Sequence, residues 1–159
     1  MPRIGITGHR GLSPRTQELI AAALRKELEP HTGAELVGVS SLAGGPDQLF
    51  ARTVLDLGGT LEVVVPAEHY REGLDPDEQH GYDQLFAKAK HVERLRFVES
   101  TEQAHLAAGR AVVDRSERLV AVWDGKAARG VGGTADIVSY ARQKGVPVAV
   151  LWPDGATRE

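Results

Sequence analysis

An α/β fold with a mostly parallel sheet, covered by helices on both faces, is predicted by three features of this sequence. Short runs of β-branched and aliphatic residues alternate with stretches of helical periodicity along the chain. Two runs, Leu61-Glu62-Val63-Val64-Val65 and Leu119-Val120-Ala121-Val122-Trp123, are almost continuously apolar, as strands buried on both sides are. Three of the expected strand-to-helix turns are rich in glycine, of which the 159 residues hold 18. Strand–helix alternation implies right-handed crossovers, hence parallel neighbours and a three-layer αβα sandwich.

The elements follow in order. The first strand is Arg3 to Thr7. Ser13 is an N-cap with Pro14 at the first helical position. Ile20, Leu24 and Leu28 recur on one face, predicting a helix over 14–29. A strand over 35–40 leads to a helix that starts at Pro46-Asp47, buries Phe50, Val54 and Leu57, and stops at Gly58-Gly59. The third strand covers Leu61 to Val65 and is ended by Pro66, which has no N–H for the ladder. A polar loop with Tyr70 and Arg71 precedes a third helix carrying Tyr82, Leu85, Phe86 and Ala89 on one face. Residues 95–98 read as a weaker strand, 102–114 as a helix with an alanine-rich face, and 118–123 as the fifth strand. A long loop, 124–132, enters a helix over 134–144, and 146–151 closes the sheet.

No repeat, linker or low-complexity tract interrupts this pattern, so residues 1–159 read as one domain. A domain of this size buries enough surface to fold without a disulfide or a metal. The chain has no cysteine, which excludes a Zn–thiolate site and a cysteine nucleophile and fits a reducing cytoplasm. No basic segment leads into an apolar signal core, and no apolar run has the length of a membrane span. The expectation is a cytoplasmic protein with no membrane partner. The 19 basic and 22 acidic residues give a net charge of −3 and are spread evenly. Phosphate-backbone binding needs a concentrated basic face, so the charge speaks against nucleic acid as a partner.

In an open sheet of this kind, ligands bind beyond the carboxyl ends of the strands, where the strand order reverses. The glycine-rich turns 7–11, 42–47 and 130–135 all fall at that end. Glycine lets a ligand approach the backbone without a Cβ in the way. The first-turn N–H groups of the following helix, helped by its dipole, suit an anion. The prediction is a nucleotide or nucleotide-like phosphate ligand. It would be held by Gly8, His9 and Arg10, by Gly44, Gly45 and Asp47, and by Gly132, Gly133 and Thr134. Asp124, at the end of the fifth strand, and Arg129, in the following loop, complete the set. The plainer readings are tight turns for the glycines, helix capping for Asp47 and Thr134, and a turn before Gly125 for Asp124. Tyr70 is the aromatic placed to stack on a base, whereas Trp123 and Trp152 read as packing.

Absent motifs narrow the chemistry. There is no Gly-x-x-x-x-Gly-Lys-Ser/Thr and no Gly-x-Ser-x-Gly, and the six histidines lack metal-ligand spacing. No metal and no cofactor are expected. Residues 130–135 match Gly-x-Gly-x-x-Ala, with Asp154 about twenty residues on. Six residues separate that match from its strand and only one strand follows, unlike a dinucleotide fingerprint.

The opening Ile-Thr-Gly-His-Arg at 6–10, Ser-Leu-Ala-Gly-Gly-Pro-Asp-Gln-Leu at 41–49, Ala-Val-Trp-Asp-Gly at 121–125 and Gly-Val-Gly-Gly-Thr-Ala-Asp at 130–136 together resemble the SLOG superfamily. The resemblance covers nearly the whole chain in the right order. That group unites DprA-type DNA-processing proteins, LOG-type phosphoribohydrolases, molybdenum-cofactor carriers and sensors of nucleotide-derived signals. It implies a Rossmann-like fold and a nucleotide-type ligand held by a sensor or carrier. Since such proteins often pair, it also implies a homodimer. By position, Gly8, His9 and Arg10 resemble one pocket wall; Gly44, Gly45 and Asp47 a second; and Gly132, Gly133 and Thr134 the phosphate-cradling turn. LOG-type enzymes carry Pro-Gly-Gly-x-Gly-Thr-x-x-Glu, whose Glu serves the glycosidic-bond chemistry. Here Ile137 holds that position, and Asp136 comes one residue early, about 100° round the helix. The alternative function, N-glycosidic hydrolysis of a nucleoside monophosphate, would rest on Asp124 or Asp136 as catalytic carboxylate. Sequence leaves open whether the chain is an enzyme.

Overall fold

The computed structural model describes residues 2–32, 35–126 and 133–158, so Arg129 and Gly132 of the expected site lie outside the described residues. The chain runs β1 (Arg3–Gly8), α1 (Pro14–Leu28), β2 (Val37–Ser40), α2 (Pro46–Asp56), β3 (Thr60–Ala67) and α3 (Pro76–Phe86). It continues through β4 (Ala89–Phe97), α4 (Glu102–Asp114), β5 (Arg118–Val122), α5 (Thr134–Gln143) and β6 (Val148–Leu151). The strands form one sheet in the order β4-β3-β2-β1-β5-β6, and every pair is parallel. The chain steps outward from β1 to β4 and then returns to the other side of β1. The order therefore reverses between β1 and β5, where Gly8 stands opposite Val122. That reversal leaves a crevice at the carboxyl ends of these two strands.

The period-two alternation of the strands divides the core between two faces. Leu61, Val63 and Val65 of β3 join Ile20, Leu24 and Leu28 of α1, Phe50 and Val54 of α2, and Leu85 of α3. Val64 joins Ala108, Val112 and Val113 of α4 and Ile137 and Ala141 of α5. Each fully buried Leu, Ile or Phe side chain contributes roughly 1.5–3 kcal/mol, so both helical layers are held mainly by this apolar burial. Buried Glu62 in β3 interrupts the apolar run. It is neutralised by Arg115, 2.8 Å away, and Arg3, 3.2 Å away, and Arg115 also reaches Glu93. These pairs fasten the end of α4 to β3 and β4. Among the described residues no helix is long and apolar enough to cross a membrane.

Strands β2 and β6 each begin two residues later than expected, at Val37 and Val148, and two further boundaries differ for physical reasons. Strand β3 does not stop at Pro66 but runs on to Ala67. Its pairing with β2 ends at Ser40 opposite Val63, so Pro66 faces only the β4 ladder, and there the register slips between Val65 and Ala67. Strand β4 is nine residues long and begins at Ala89, which the periodicity had placed on the third helix. It is an edge strand in which Lys90, His91, Glu93, Arg94 and Arg96 obscure the apolar alternation. Charges are the usual device by which an edge avoids pairing with other chains.

Candidate functional site

A cavity of about 380 Å³ opens at the carboxyl edge of the sheet. Ile6, Thr7 and Gly8 of β1 and Pro66 of β3 line it from below, and Ser41, Ala43 and Asp47 from the β2–α2 turn. On α4 it meets Glu102, His105, Ala108, Gly109 and Val112, and on α5 Gly133 and Ile137. Arg10, Tyr70 and Arg158 complete it. Ile6, Ala108, Val112 and Ile137 belong to the buried core, which gives the cavity an apolar depth.

The β2–α2 turn is built under strain. Leu42 is fully buried with φ at +56°, a left-handed conformation that costs a bulky residue about 1–3 kcal/mol. It is held there from both sides. Its N–H donates to Ser40 Oγ at 3.0 Å, and its carbonyl accepts from Gln48 Nε2 at 3.1 Å. The Gln48 amide also donates to the Glu78 carbonyl at 2.9 Å, tying the turn to α3. Gly45, at φ +78°, completes the reversal into α2. The turn then directs the Ala43 N–H to Asp47 Oδ2 at 3.3 Å. Asp47 is not the N-cap of α2, a position that Gly45 holds. Burial pushes its carboxyl up to about 6, against the opposing pull of the Arg10 charge and the Ala43 N–H.

Gly44 sits in this turn but does not line the cavity. A Cβ there would collide with the Glu78 carboxylate, which packs over it from α3. Glu78 also accepts the Asp75 N–H at 3.1 Å, half of the capping box that starts α3. Gly44→Ala is expected to swing Glu78 away and cost about 1 kcal/mol, the worth of such a cap. Chemical denaturation should show this as a lower midpoint. Gly8 does line the cavity, yet its need for glycine is also internal. A Cβ would lie 2.8 Å from Pro46 Cβ and 3.0 Å from Val122 Cβ.

The buried His9 ring is not part of the cavity lining, and its Nε2 lies 3.1 Å from Asp124 Oδ1 and 3.2 Å from the Asp124 backbone N. Its edge meets Trp152 at 5.8 Å. Asp124 performs the turn role as well, accepting the Lys126 N–H at 2.9 Å, and Arg158 Nη1 lies 3.8 Å from its other oxygen. Desolvation would raise the Asp124 pKa. The Lys126 N–H, His9 and the Arg158 charge outweigh it and hold the carboxyl below its usual value. His9 and Asp124 thus lock the β1 and β5 turns together. Arg158 is brought to the cavity by the C-terminal segment, which pairs with Leu12 and donates the Thr157 N–H to Thr16.

At α5, Gly133 is the N-cap with φ −69° and lines the cavity; buried Thr134 follows it. Asp136 lies in the first turn of α5 and is not part of the lining, where Ile137 is. Tyr70 lines the cavity but is 2% exposed, its ring edge-on to Tyr82 and His105 at 5.9 Å each. Burial and the nearby Asp47 push its phenol far up, while Arg10 pulls the other way. Tyr70 therefore serves the core more than it offers a free ring face. The structure brings together Gly8, Arg10, Asp47 and Gly133 of the expected residues and leaves His9, Gly44, Gly45, Asp124, Thr134 and Asp136 outside the lining.

Sequence reading missed Glu102, His105 and Arg158. His105 is pushed below its ordinary pKa by burial and by Arg10, and its Nε2 lies 2.7 Å from Ser100 Oγ. The β4–α4 turn is a fourth strand-to-helix connection at the same edge. Its place after a strand was the available signal, though it carries no glycine. Nothing local in the sequence places Arg158 there.

No protein-family model and no curated protein sequence matches the chain. Solved structures do. DNA processing protein A from Helicobacter pylori, described with its single-stranded DNA binding mode, matches with a TM-score of 0.70 at 18% identity, over 99% of this chain and 68% of that one. DprA from Streptococcus pneumoniae matches with a TM-score of 0.69 at 18% identity, over 98% of this chain and 52% of that one. The protein TM1055 matches with a TM-score of 0.60 at 17% identity, over 93% and 72%. The chain thus spans about two thirds of the first relative and half of the second. One expectation is corrected here. The balanced charge spoke against nucleic acid as a partner, and a fold shared with a protein that binds single-stranded DNA overturns that exclusion. Net charge over a whole chain does not report how charge is placed in one cleft, and here Arg10 and Arg158 line one together with Asp47 and Glu102. The all-parallel sheet, whose strand order reverses beside β1, and the likeness to these structures give the chain a Rossmann-like α/β fold.

Proposed function

We propose that the protein binds a nucleotide or nucleotide-derived compound, phosphate first, in the cavity between the β1/β5 edge and α4, as a sensor or carrier. One observation carries this reading: a single cavity of about 380 Å³ joins two arginines, the N-terminus of α5 and an apolar depth. Ligand pockets run from about 300 to 1,000 Å³ and pair apolar walls with a few placed polar groups. Arginine is suited to bidentate phosphate contacts, and a helix N-terminus favours the same anion. The apolar residues on α4 and α5 suit a heterocyclic base.

Isothermal titration with the four common nucleoside monophosphates and inorganic phosphate tests the proposal. The H. pylori relative is described as binding single-stranded DNA, so a short oligothymidylate belongs in the panel. At least one ligand is expected to bind below millimolar concentration, and binding by none refutes the reading. Arg10→Ala should weaken the best ligand by about 10- to 150-fold, the equivalent of the roughly 1.5–3 kcal/mol of a charged hydrogen bond. A second reading, N-glycosidic hydrolysis, is favoured by Asp47, a cavity carboxyl that keeps its proton to about pH 6. Chromatography for free base after incubation with nucleoside monophosphates tests it.

A further inference from the structure

We propose that the cavity takes up its anionic ligand together with a proton, and that Asp47 is the group that receives it. The inference rests on the phosphate-binding reading above and concerns the regulation of the same site. Asp47 and Arg10 line one cavity, so the cation that would hold a phosphate is already matched by a carboxylate of the protein. Among the described residues the Asp47 carboxyl has one neutral donor, the Ala43 N–H, to steady its charge. A phosphate drawn to Arg10 takes over the compensation that Asp47 supplied, and it adds negative charge beside the half-buried Asp47 carboxyl. Two anions sharing one cation favour protonation of one of them, and Asp47, already raised to about 6, takes a proton as readily as a phosphate whose second ionisation lies at about 6. Once protonated, Asp47 changes from acceptor to donor and can hydrogen-bond a phosphate or sugar oxygen.

Among the described residues the other charged groups around the cavity are few. Arg10 faces Asp47 from the β1–α1 turn, and Tyr70 from the segment after β3, its phenol neutral at any ordinary pH. Glu102 and His105 stand on α4, Arg158 in the C-terminal segment, and Glu78 of α3 packs on Gly44 in the turn that carries Asp47. Arg158 is shared with Asp124, 3.8 Å away, which leaves Arg10 as the cation that Asp47 balances. Besides the exposed Glu102, His105 is the competitor for the proton among the described residues. Burial lowers its pKa, and an incoming anion would raise it. Asp47 starts closer to accepting a proton from neutral solution, because burial already holds its carboxyl at about 6.

The test is isothermal titration of adenosine 5′-monophosphate into the wild-type protein, Asp47→Asn and His105→Gln, from pH 6 to 8, in buffer pairs of different ionisation heat. The nucleotide's own phosphate titrates in the same range, so its protonation is followed in each complex by phosphorus-31 NMR and subtracted. Wild type and His105→Gln are expected to take up several tenths of a proton more than Asp47→Asn at pH 7. Their affinity should fall, relative to Asp47→Asn, by up to tenfold per pH unit above pH 6. A second measurement needs no variant. Carbon-13 NMR of the Asp47 carboxyl in the wild type should show its titration midpoint rising by at least one pH unit when the nucleotide is bound. Equal proton uptake in wild type and Asp47→Asn, or an unmoved carboxyl midpoint, overturns the inference and leaves the binding site standing. Failure of the nucleotide to bind any of the proteins at any pH overturns the binding reading and this inference together.

Discussion

Gly133→Val is expected to leave the protein folded and to lower its affinity for a nucleoside monophosphate by at least about 100-fold. Gly133 is the N-cap of α5, in an extended conformation at φ −69° and ψ 169° that β-branched residues adopt readily. No side-chain cap is lost, because glycine supplies none. The stability cost is that of a poor N-cap residue, about 1 kcal/mol, or about 2–4 °C in a domain of this size. The effect on binding is of another order. Gly133 lines the cavity at the N-terminus of α5, where a phosphate would lie closest to backbone N–H groups. Two methyl groups there occupy that approach and hold the anion beyond hydrogen-bond range of both the helix end and Arg10. Thermal melting and titration on the same preparation separate the two effects. Unchanged affinity in the folded variant would place the phosphate elsewhere.

The fold was legible because its signals are periodic and local. Ile20, Leu24 and Leu28 marked α1, and all three are fully buried; the Ser13 cap and Pro14 marked its start to the residue. Strand β4 was the exception, since an edge strand is selected for charge and pairs only on one side. The site was less legible because glycine has several causes. The glycine-rich turns were read as openings for a ligand. At Gly44 the space is taken by Glu78, and at Gly8 by Pro46 and Val122 as well as the cavity. Both contacts join residues distant in the chain, so no local pattern reports them. A partner of His9, Asp124, was hidden for the same reason, since it lies 115 positions further along the chain. Leu42 shows the limit most plainly. A leucine gives no sign of a left-handed turn, and the groups that impose one, Ser40 and Gln48, look like ordinary polar residues.

Asp47→Asn is expected to stabilise the protein at neutral pH, by up to about 3 kcal/mol. Burial raises the folded-state pKa of Asp47 from 3.8 to about 6, with Arg10 and the Ala43 N–H already opposing it. Between those two values the folded protein holds a proton that the unfolded chain releases. Stability supplied by this group is therefore fully present below about pH 4. It is lost as the pH rises towards 6, at about 1.36 kcal/mol per pH unit, and the loss is constant above that. Asparagine has the same shape, accepts the Ala43 N–H through its amide oxygen and carries no charge to desolvate. At pH 7.5 the variant should melt about 5–10 °C above the wild type, and at pH 4 the two curves should converge. The remaining carboxylates titrate alike in both proteins, so the difference isolates this one. A lower melting temperature for Asp47→Asn at pH 7.5 would mean that attraction to Arg10 exceeds the cost of burial. The carboxylate would then be a structural ion pair. Retention of a destabilising carboxyl in a cavity, where a neutral residue of equal size fits, is instead what a site that trades stability for a working proton predicts.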